Sequence, residues 1–387
     1  MDNLVATEAC GTTAKIDRWL SAINFTTPFV VIDLDVVRAQ HDALARNFPF
    51  AEIYYAVKAN PAPAVVAMLG TLGVGLDLAS EGEIDRCHDL GISAGRFSFG
   101  NTIKREADIK MAYARGVRLF AFDCDRELEK IARAAPGAGV FCRLAVAAYG
   151  AEWPLTRKFG CHPETAAELL LRAKAVGLTP VGVSFHVGSQ QTEPTAWQTP
   201  IAMAKDVFSV CARGGVTLDF LNLGGGLPAH YRTHAPPLEE YAETIDAALR
   251  KNFGGSRPRT IIEPGRYMVG DAGLLRASVL LISSKSRHAK HRWVYLDAGR
   301  YNGLPETLDE RIHYRLRASG DGSTTGPVIL AGPTCDSTDI LYEKTPYHLP
   351  LRLAIGDTID FLSAGAYTSS YASVEFNGFP PLRTYCI

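Results

Sequence analysis

From Phe29 onward, short apolar runs rich in β-branched and aromatic residues alternate with longer stretches of helical period, the pattern of parallel strands joined by helices. After a leading segment, Phe29-Val30-Val31-Ile32, the runs predict eight strands, over residues 53–57, 75–78, 96–99, 117–122, 140–146, 181–187, 218–223 and 260–263. Between them the period predicts helices such as 63–72, 163–176 and 238–251. Ser80 followed by Glu83 fits a capping box, in which hydroxyl and carboxylate each satisfy an orphan backbone N–H. Eight βα units in roughly 240 residues match a (β/α)8 TIM barrel. A doubly wound open sheet is the competing layout. It calls for a Gly-rich turn after the first strand, and Lys58-Ala59-Asn60-Pro61 is not one.

The pattern changes after Gly270. Strand-like runs at 274–282, 292–296, 327–331, 351–354 and 358–362 are separated by Gly, Pro and polar turns, which predicts an all-β C-terminal domain. The expected division is a barrel over 25–270 and a β domain made of 1–24 plus 271–387, with the leading residues adding a helix or strand to the latter.

Composition narrows the function. Forty Lys and Arg against 41 Asp and Glu give a net charge of -1, so no overall field holds a nucleic acid or an anionic membrane. No apolar run reaches the roughly 18 residues of a membrane helix, and Met1 to Lys15 lacks the apolar core of a secretory signal. The 8 Cys, at 10, 87, 124, 142, 161, 211, 335 and 386, contain no C-x-x-C. That spacing argues against a structural metal site and for reduced thiols in a cytoplasmic protein.

In such a barrel the reacting groups sit at the C-terminal ends of strands. Those ends deliver Lys58, Asp77, Gly100-Asn101, Arg143, His186-Val187-Gly188-Ser189, Gly224-Gly225-Gly226 and Glu263-Pro264-Gly265-Arg266. Lys58 leaves an apolar strand, where desolvation favours a nucleophilic amine; an ordinary ion pair is the alternative. The Gly triplet lets backbone N–H groups approach an anion, or is only a tight turn. With Gly265-Arg266 it places donors in the last two βα loops, where barrels commonly bind phosphate. Glu263 pairs either with Arg266 or with a pyridinium nitrogen, and His186 is either a core histidine or a ring stacked on a cofactor. Lysine, carboxylate and phosphate cradle together form the parts list of a pyridoxal phosphate site.

Tyr55-Ala56-Val57-Lys58-Ala59-Asn60, His186-Val187-Gly188-Ser189, Gly224-Gly225-Gly226, Glu263-Pro264-Gly265-Arg266 and Gly332-Pro333-Thr334-Cys335-Asp336-Ser337 resemble the motifs of the fold-III pyridoxal-phosphate decarboxylases. That family has an alanine-racemase-like barrel and acts on ornithine, lysine, arginine or diaminopimelate. Gly365-Ala366-Tyr367 and Phe376-Asn377-Gly378-Phe379 are similar too, so the match runs in order from about Phe29 to the end, and it is nearest the bacterial ornithine decarboxylase group.

The resemblance implies a homodimer with shared active sites. Lys58 carries pyridoxal 5'-phosphate covalently, Glu263 pairs with its ring nitrogen and His186 stacks on its face. Ser189, Gly224, Gly225, Gly226, Gly265, Arg266 and Tyr367 hold the phosphate, with Asp77 and Arg143 near the lysine. Cys335 and Asp336 reach in from the partner chain, while Lys158, Asp339 and Gly365 belong to the dimer contact.

The implied reaction is that of a pyridoxal-phosphate-dependent carboxy-lyase: L-ornithine to putrescine and CO2, the first step of polyamine synthesis. Thiols ordinarily titrate near 8.5, and Cys335 is the candidate acid that returns a proton to Cα, or else a buried thiol. Asp336 suits a distal ammonium better than a second carboxylate, which disfavours diaminopimelate. After Asp297-Ala298-Gly299-Arg300 comes Tyr301, a candidate substrate contact, and then three acids. Of these, Glu306 is preferred to Asp309 and Glu310 as the second partner of the distal amine. Lysine, alone or with ornithine, is the alternative substrate. An amino-acid racemase, or a non-catalytic protein of this fold, is the rival function.

Overall fold

The computed structural model of the chain describes residues 14–147, 149–153 and 158–387, so Cys10 lies outside the described residues. The chain forms two compact units. One holds Arg38–Pro228 and Ala235–Met268; the other holds residues up to Val37, Ala229–His234 and Val269–Ile387.

In the first unit eight parallel strands close into a barrel: Glu52–Ala56, Gly75–Leu78, Phe97–Phe99, Leu119–Phe122, Gly139–Arg143, Thr179–Ser184, Phe220–Asn222 and Arg259–Ile262. They follow one another in chain order, and the last pairs back on the first. Each corresponds to an expected run, because a strand buried on both faces reads as continuous apolar sequence. Two end three residues earlier than expected. Past Arg143 and Ser184 the backbone leaves the ring to form a short antiparallel pair, Ala151–Trp153 with Ser189–Gln191. The interior is filled by Tyr54, Ala121, Phe141, Phe220 and Ile261. Gly75 belongs to that packing, since a Cβ there would lie 2.7 Å from the Tyr54 ring.

The helices Pro63–Thr71 and Pro163–Ala175 each begin with Pro, whose missing N–H costs nothing in a first turn. At the helix Glu81–Asp89 the capping box forms with one change of partner. Ser80 Oγ accepts from the Glu83 N–H at 3.3 Å, but the Glu83 carboxylate takes the N–H of Ala79, at 2.7 Å, rather than that of Ser80.

The second unit is a mixed sheet with the strand order Arg315–Ala318, Thr358–Leu362, Gly273–Ser283, Arg292–Leu296, Thr325–Ala331, Ile340–Pro350. Phe29–Ile32 pairs antiparallel with its Gly273–Arg276 stretch and parallel with Arg383–Cys386. The boundary expected at residue 25 therefore moves later, because the backbone of this leading strand is spent in the sheet. Helix Ala14–Ala22 seats Ile16 and Leu20 against Phe29, Val31 and Leu274. The run expected as a strand at 351–354 is a turn; the strand there is Ile340–Pro350, whose pairing with Thr325–Ala331 shifts register near Val328 and Leu330. Among the described residues no helix is long and apolar enough to cross a membrane.

Asp360, 3% exposed, anchors this sheet. It accepts Arg276 Nε and Nη2 at 2.7 and 2.9 Å, and Arg317 Nε and Nη2 at 3.1 and 2.9 Å. Asp360→Ala takes from two part-buried guanidinium groups the acceptor they share, leaving Arg317 its bond to Asp17. The expected loss is about 2 kcal/mol, reduced from the cost of a fully buried pair because both arginines reach solvent. Urea unfolding monitored by tryptophan fluorescence measures it, and an unchanged midpoint contradicts the assignment.

Candidate active site

The barrel rim gathers the predicted groups. Lys58 follows the first strand in a 3-10 turn, Val57–Ala59, and its Nζ lies 3.2 Å from Asp77 Oδ2 on the next strand. The lysine is half-exposed while Asp77 is 5% exposed. Among the described residues, Asp77 Oδ1 is buried and accepts from no protein donor.

Glu263, just past the last strand, does not pair with Arg266. Its Oε1 accepts from Asn222 Nδ2 at 2.5 Å, and burial together with the nearby Asp77 charge raises its carboxyl to about 8. Lys58, Arg143 and the Asn222 bond pull the other way. The other end of the same amide holds the Gly loop. Asn222 Oδ1 accepts from the N–H of Gly224 at 2.8 Å, fixing that loop beside the carboxyl. Sequence reading missed Asn222, because one amide in an apolar run looks like a turn residue.

His186 accepts from the N–H of Gly188 at Nδ1, at 3.0 Å, which leaves the proton on Nε2. Burial, with Arg143 and Lys58 nearby, holds the ring well below the usual imidazole range and therefore neutral. Arg143 ends its strand with its guanidinium 5.0 Å from the centre of the Phe159 ring.

Beside this group lies an anion cradle. Arg266, 3% exposed, reaches Ser189 Oγ through Nε at 3.2 Å and Nη2 at 3.1 Å. The neighbouring Gly loop can be nothing else: a Cβ on Gly225 would lie 2.6 Å from the Glu263 carbonyl oxygen and 3.2 Å from His186 Nε2. Gly226, at φ +121, would meet the Gly188 oxygen at 2.7 Å. Trp197, also missed by sequence reading, buttresses the loop by donating Nε1–H to the Leu223 oxygen at 3.2 Å. A fixed cation, a hydroxyl and closely approachable backbone make this a place for a phosphate-like group.

The remaining candidates lie in the sheet unit. Cys335 is exposed and Asp336 half-buried on the loop after Thr325–Ala331. Cys335 N–H donates to Asn377 Oδ1 at 3.2 Å. Asp336 Oδ1 accepts from the N–H and hydroxyl of Thr338, at 2.8 and 2.6 Å, which holds its carboxyl below the usual range. Tyr301 bonds Thr338 Oγ1 at 2.7 Å and packs on Phe376.

The three acids after Tyr301 separate clearly. Glu306 is 3% exposed. Asp309 is exposed at φ +53. Glu310 accepts the N–H groups of Glu343, Lys344 and Thr345, at 2.8, 2.5 and 2.9 Å.

Two residues expected at a dimer contact are engaged inside their own unit. Asp339, 3% exposed, accepts from the N–H of Arg300 at 2.7 Å and from the N–H and hydroxyl of Thr334 at 3.2 and 2.7 Å. It thereby braces the loop that carries Cys335. Gly365 fits against Gly273 and Val269, where a Cβ would come within 1.8 Å of the Val269 oxygen. Lys158, on the barrel unit, is exposed and lies 5.0 Å from the Phe159 ring centre. Tyr367 adopts a left-handed backbone at φ +56.

Comparison with known proteins points one way. Residues 34–270 match the family described as pyridoxal-dependent decarboxylase, pyridoxal binding domain. The chain is 36% identical over 360 residues, 92% of its length and 89% of the relative's, to a lysine/ornithine decarboxylase of Selenomonas ruminantium. It is 33% identical over 364 residues, 91% and 85% of the two chains, to an ornithine decarboxylase of Caenorhabditis elegans. Among solved structures, a SrLDC mutant in complex with PLP is similar with TM-score 0.88 and 33% identity, over 97% of this chain and 96% of that one. A lysine/ornithine decarboxylase of Vibrio vulnificus, complexed with cadaverine, is similar with TM-score 0.87 and 32% identity, over 97% and 99%.

The raised Glu263 carboxyl sets a pH dependence. Between its ordinary 4.5 and about 8 the folded, cofactor-free protein holds a proton that the unfolded chain has released. This group's contribution to stability therefore falls as pH rises through that window. Thermal midpoints of the cofactor-free protein should drop less between pH 4.5 and 8 in Glu263→Gln than in wild type; equal drops contradict the assignment.

Proposed function

This chain belongs to the pyridoxal-dependent decarboxylases that act on basic amino acids, and from that membership we propose that it converts L-ornithine to putrescine and CO2. The observation that carries the reading is one rim holding the Lys58–Asp77 pair, the Asn222-bound Glu263 and the Arg266–Ser189 cradle. The donor set fits pyridoxal phosphate. Arg266, Ser189 and the Gly225–Gly226 backbone suit its phosphate. Lys58 suits its aldehyde, Glu263 its ring nitrogen and neutral His186 its face. Bound there, the cofactor supplies a sink for the electron pair left when CO2 departs.

The chain's own residues do the rest. Lys58 would hold the cofactor by its aldehyde, and Asp77 pairs with the Lys58 ammonium when that amine is free. Glu263, held by Asn222, keeps the ring-nitrogen proton in place. Neutral His186 packs without adding a charge that would oppose the ring's. Cys335, exposed on its loop, returns a proton to Cα from the partner subunit of a homodimer. Asp336 and Glu306 receive the distal ammonium.

A carboxylate pair of this kind favours a diamino acid over meso-diaminopimelate, which carries a second carboxylate. Ornithine and lysine differ by one methylene, worth about 0.8 kcal/mol of burial, or roughly fourfold in selectivity. Use of both substrates is the second reading, favoured by the relatives named for lysine and ornithine together.

A panel of L-ornithine, L-lysine, L-arginine and meso-diaminopimelate scored by CO2 release tests the proposal. Ornithine should give the highest kcat/KM with lysine next; diaminopimelate as the best substrate overturns it. Lys58→Ala should abolish CO2 release and the borohydride-sensitive yellow colour together. Cys335→Ala should slow turnover and raise the share of aldehyde product over diamine, whereas an unchanged product ratio removes Cys335 as the proton donor. Assay of D-ornithine in the same incubations identifies a racemase.

A further inference from the structure

Two cysteines that the sequence gives no reason to pair meet at the barrel rim. Cys142, in the strand Gly139–Arg143, is fully buried, and Cys161, just before the helix Pro163–Ala175, is half-buried. Their Sγ atoms are 3.5 Å apart, although the residues lie 19 positions apart in sequence. The backbone already holds them in register. Cys161 N–H donates to the Arg143 oxygen at 3.0 Å, and Ala145 N–H donates to the Cys161 oxygen at 2.9 Å. Gly160 N–H, next door, donates to Asp123 Oδ2 at 2.8 Å. Closing the pair requires a shift of about 1.5 Å, to the 2.05 Å of a disulfide bond, which side-chain rotation and small backbone adjustment supply.

We propose that Cys142 and Cys161 form a reversible intramolecular dithiol–disulfide site that responds to small-molecule disulfides. The roles of the two thiols follow from their surroundings. Burial and the neighbouring sulfur push Cys142 well up, while the contact with Cys142 holds Cys161 down, and Cys161 is the more exposed of the two. Cys161 is therefore the attacking sulfur. Its thiolate attacks one sulfur of oxidised glutathione, forming a mixed disulfide and expelling one glutathione thiolate. Cys142 then attacks Cys161 Sγ and expels the second, its proton passing to the departing glutathione sulfur. The two protein thiols are oxidised by two electrons, and one glutathione disulfide is reduced to two thiols. In a reducing compartment such a bond is transient and regulatory rather than structural. Because Cys161 is bonded to the Arg143 backbone, closing the pair shifts the residue that brings a guanidinium to the rim, and oxidation should weaken cofactor retention several-fold.

Holoenzyme equilibrated with oxidised glutathione and mapped by peptide mass spectrometry tests this. Turnover is not the readout, since exposed Cys335 is also modified. The expected result is a peptide pair linked through Cys142 and Cys161, lacking two hydrogens and carrying no glutathione, that reverts with dithiothreitol. Gel filtration should show several-fold less cofactor absorbance retained by the oxidised protein. Cys161→Ser should lose both the link and the cofactor effect while keeping the basal activity of the reduced enzyme; Cys142→Ser should instead trap glutathione on Cys161. Should Cys142→Ser fail to fold, Cys161→Ser decides alone. A link through Cys124, glutathione left stably on Cys161 of the wild-type chain, or no change at either position overturns the proposal.

Discussion

One side-chain amide organises the mouth of the barrel. Asn222 donates to Glu263 and accepts from Gly224, so a single residue holds both the buried carboxyl and the glycine loop beside it. The arrangement is demanding because a carboxyl so placed has two opposing needs. It must be buried to act at short range in a low dielectric, yet burial alone favours its protonated form. Lys58, Arg143 and the amide supply the opposing pull toward the ionised form. A pyridinium brought against Glu263 adds the charge that completes the balance, so the protein is prepared for a cation at that spot rather than neutralised without one.

The second unit solves a different problem, which is to hold reactive groups in the open. Cys335 is exposed and Asp336 half-buried, but the loop under them is not slack. Asp339 ties Arg300 and Thr334 from below, Thr338 fixes the Asp336 carboxylate, and Asn377 takes the Cys335 N–H. The buried Asp339 carboxylate is spent on the backbone that carries them. A loop so constrained has little conformational freedom left to lose.

Much of this was legible because the barrel strands are buried on both faces and announce themselves as apolar runs, and because strand ends are where a barrel exposes chemistry. Lys58, Glu263, His186 and the Gly loop could be placed from that rule alone, before any resemblance was invoked. What stayed hidden has physical reasons. The strand Ile340–Pro350 carries Glu, Lys, Thr and Pro in its middle, so its alternation fails, while the apolar Leu351 beyond it drew the assignment into a turn. Phe29–Ile32 reads like any barrel strand, and only its pairing with Gly273–Arg276 shows where it belongs. Asn222 was silent because its importance lies in two bonds rather than in its type. The meeting of Cys142 with Cys161 depends on how a loop returns to its strand, which no local pattern encodes.

Glu310 carries a consequence beyond its own hydrogen bonds. Ile340–Pro350 is the last strand at one side of its sheet, where unpaired N–H groups invite another chain to dock and propagate the sheet. By gathering three successive N–H groups onto one carboxylate, the protein removes the template at that border. Loss of this single acid would therefore show itself less in catalysis than in colloidal behaviour, as newly made chains found a border on which to stack.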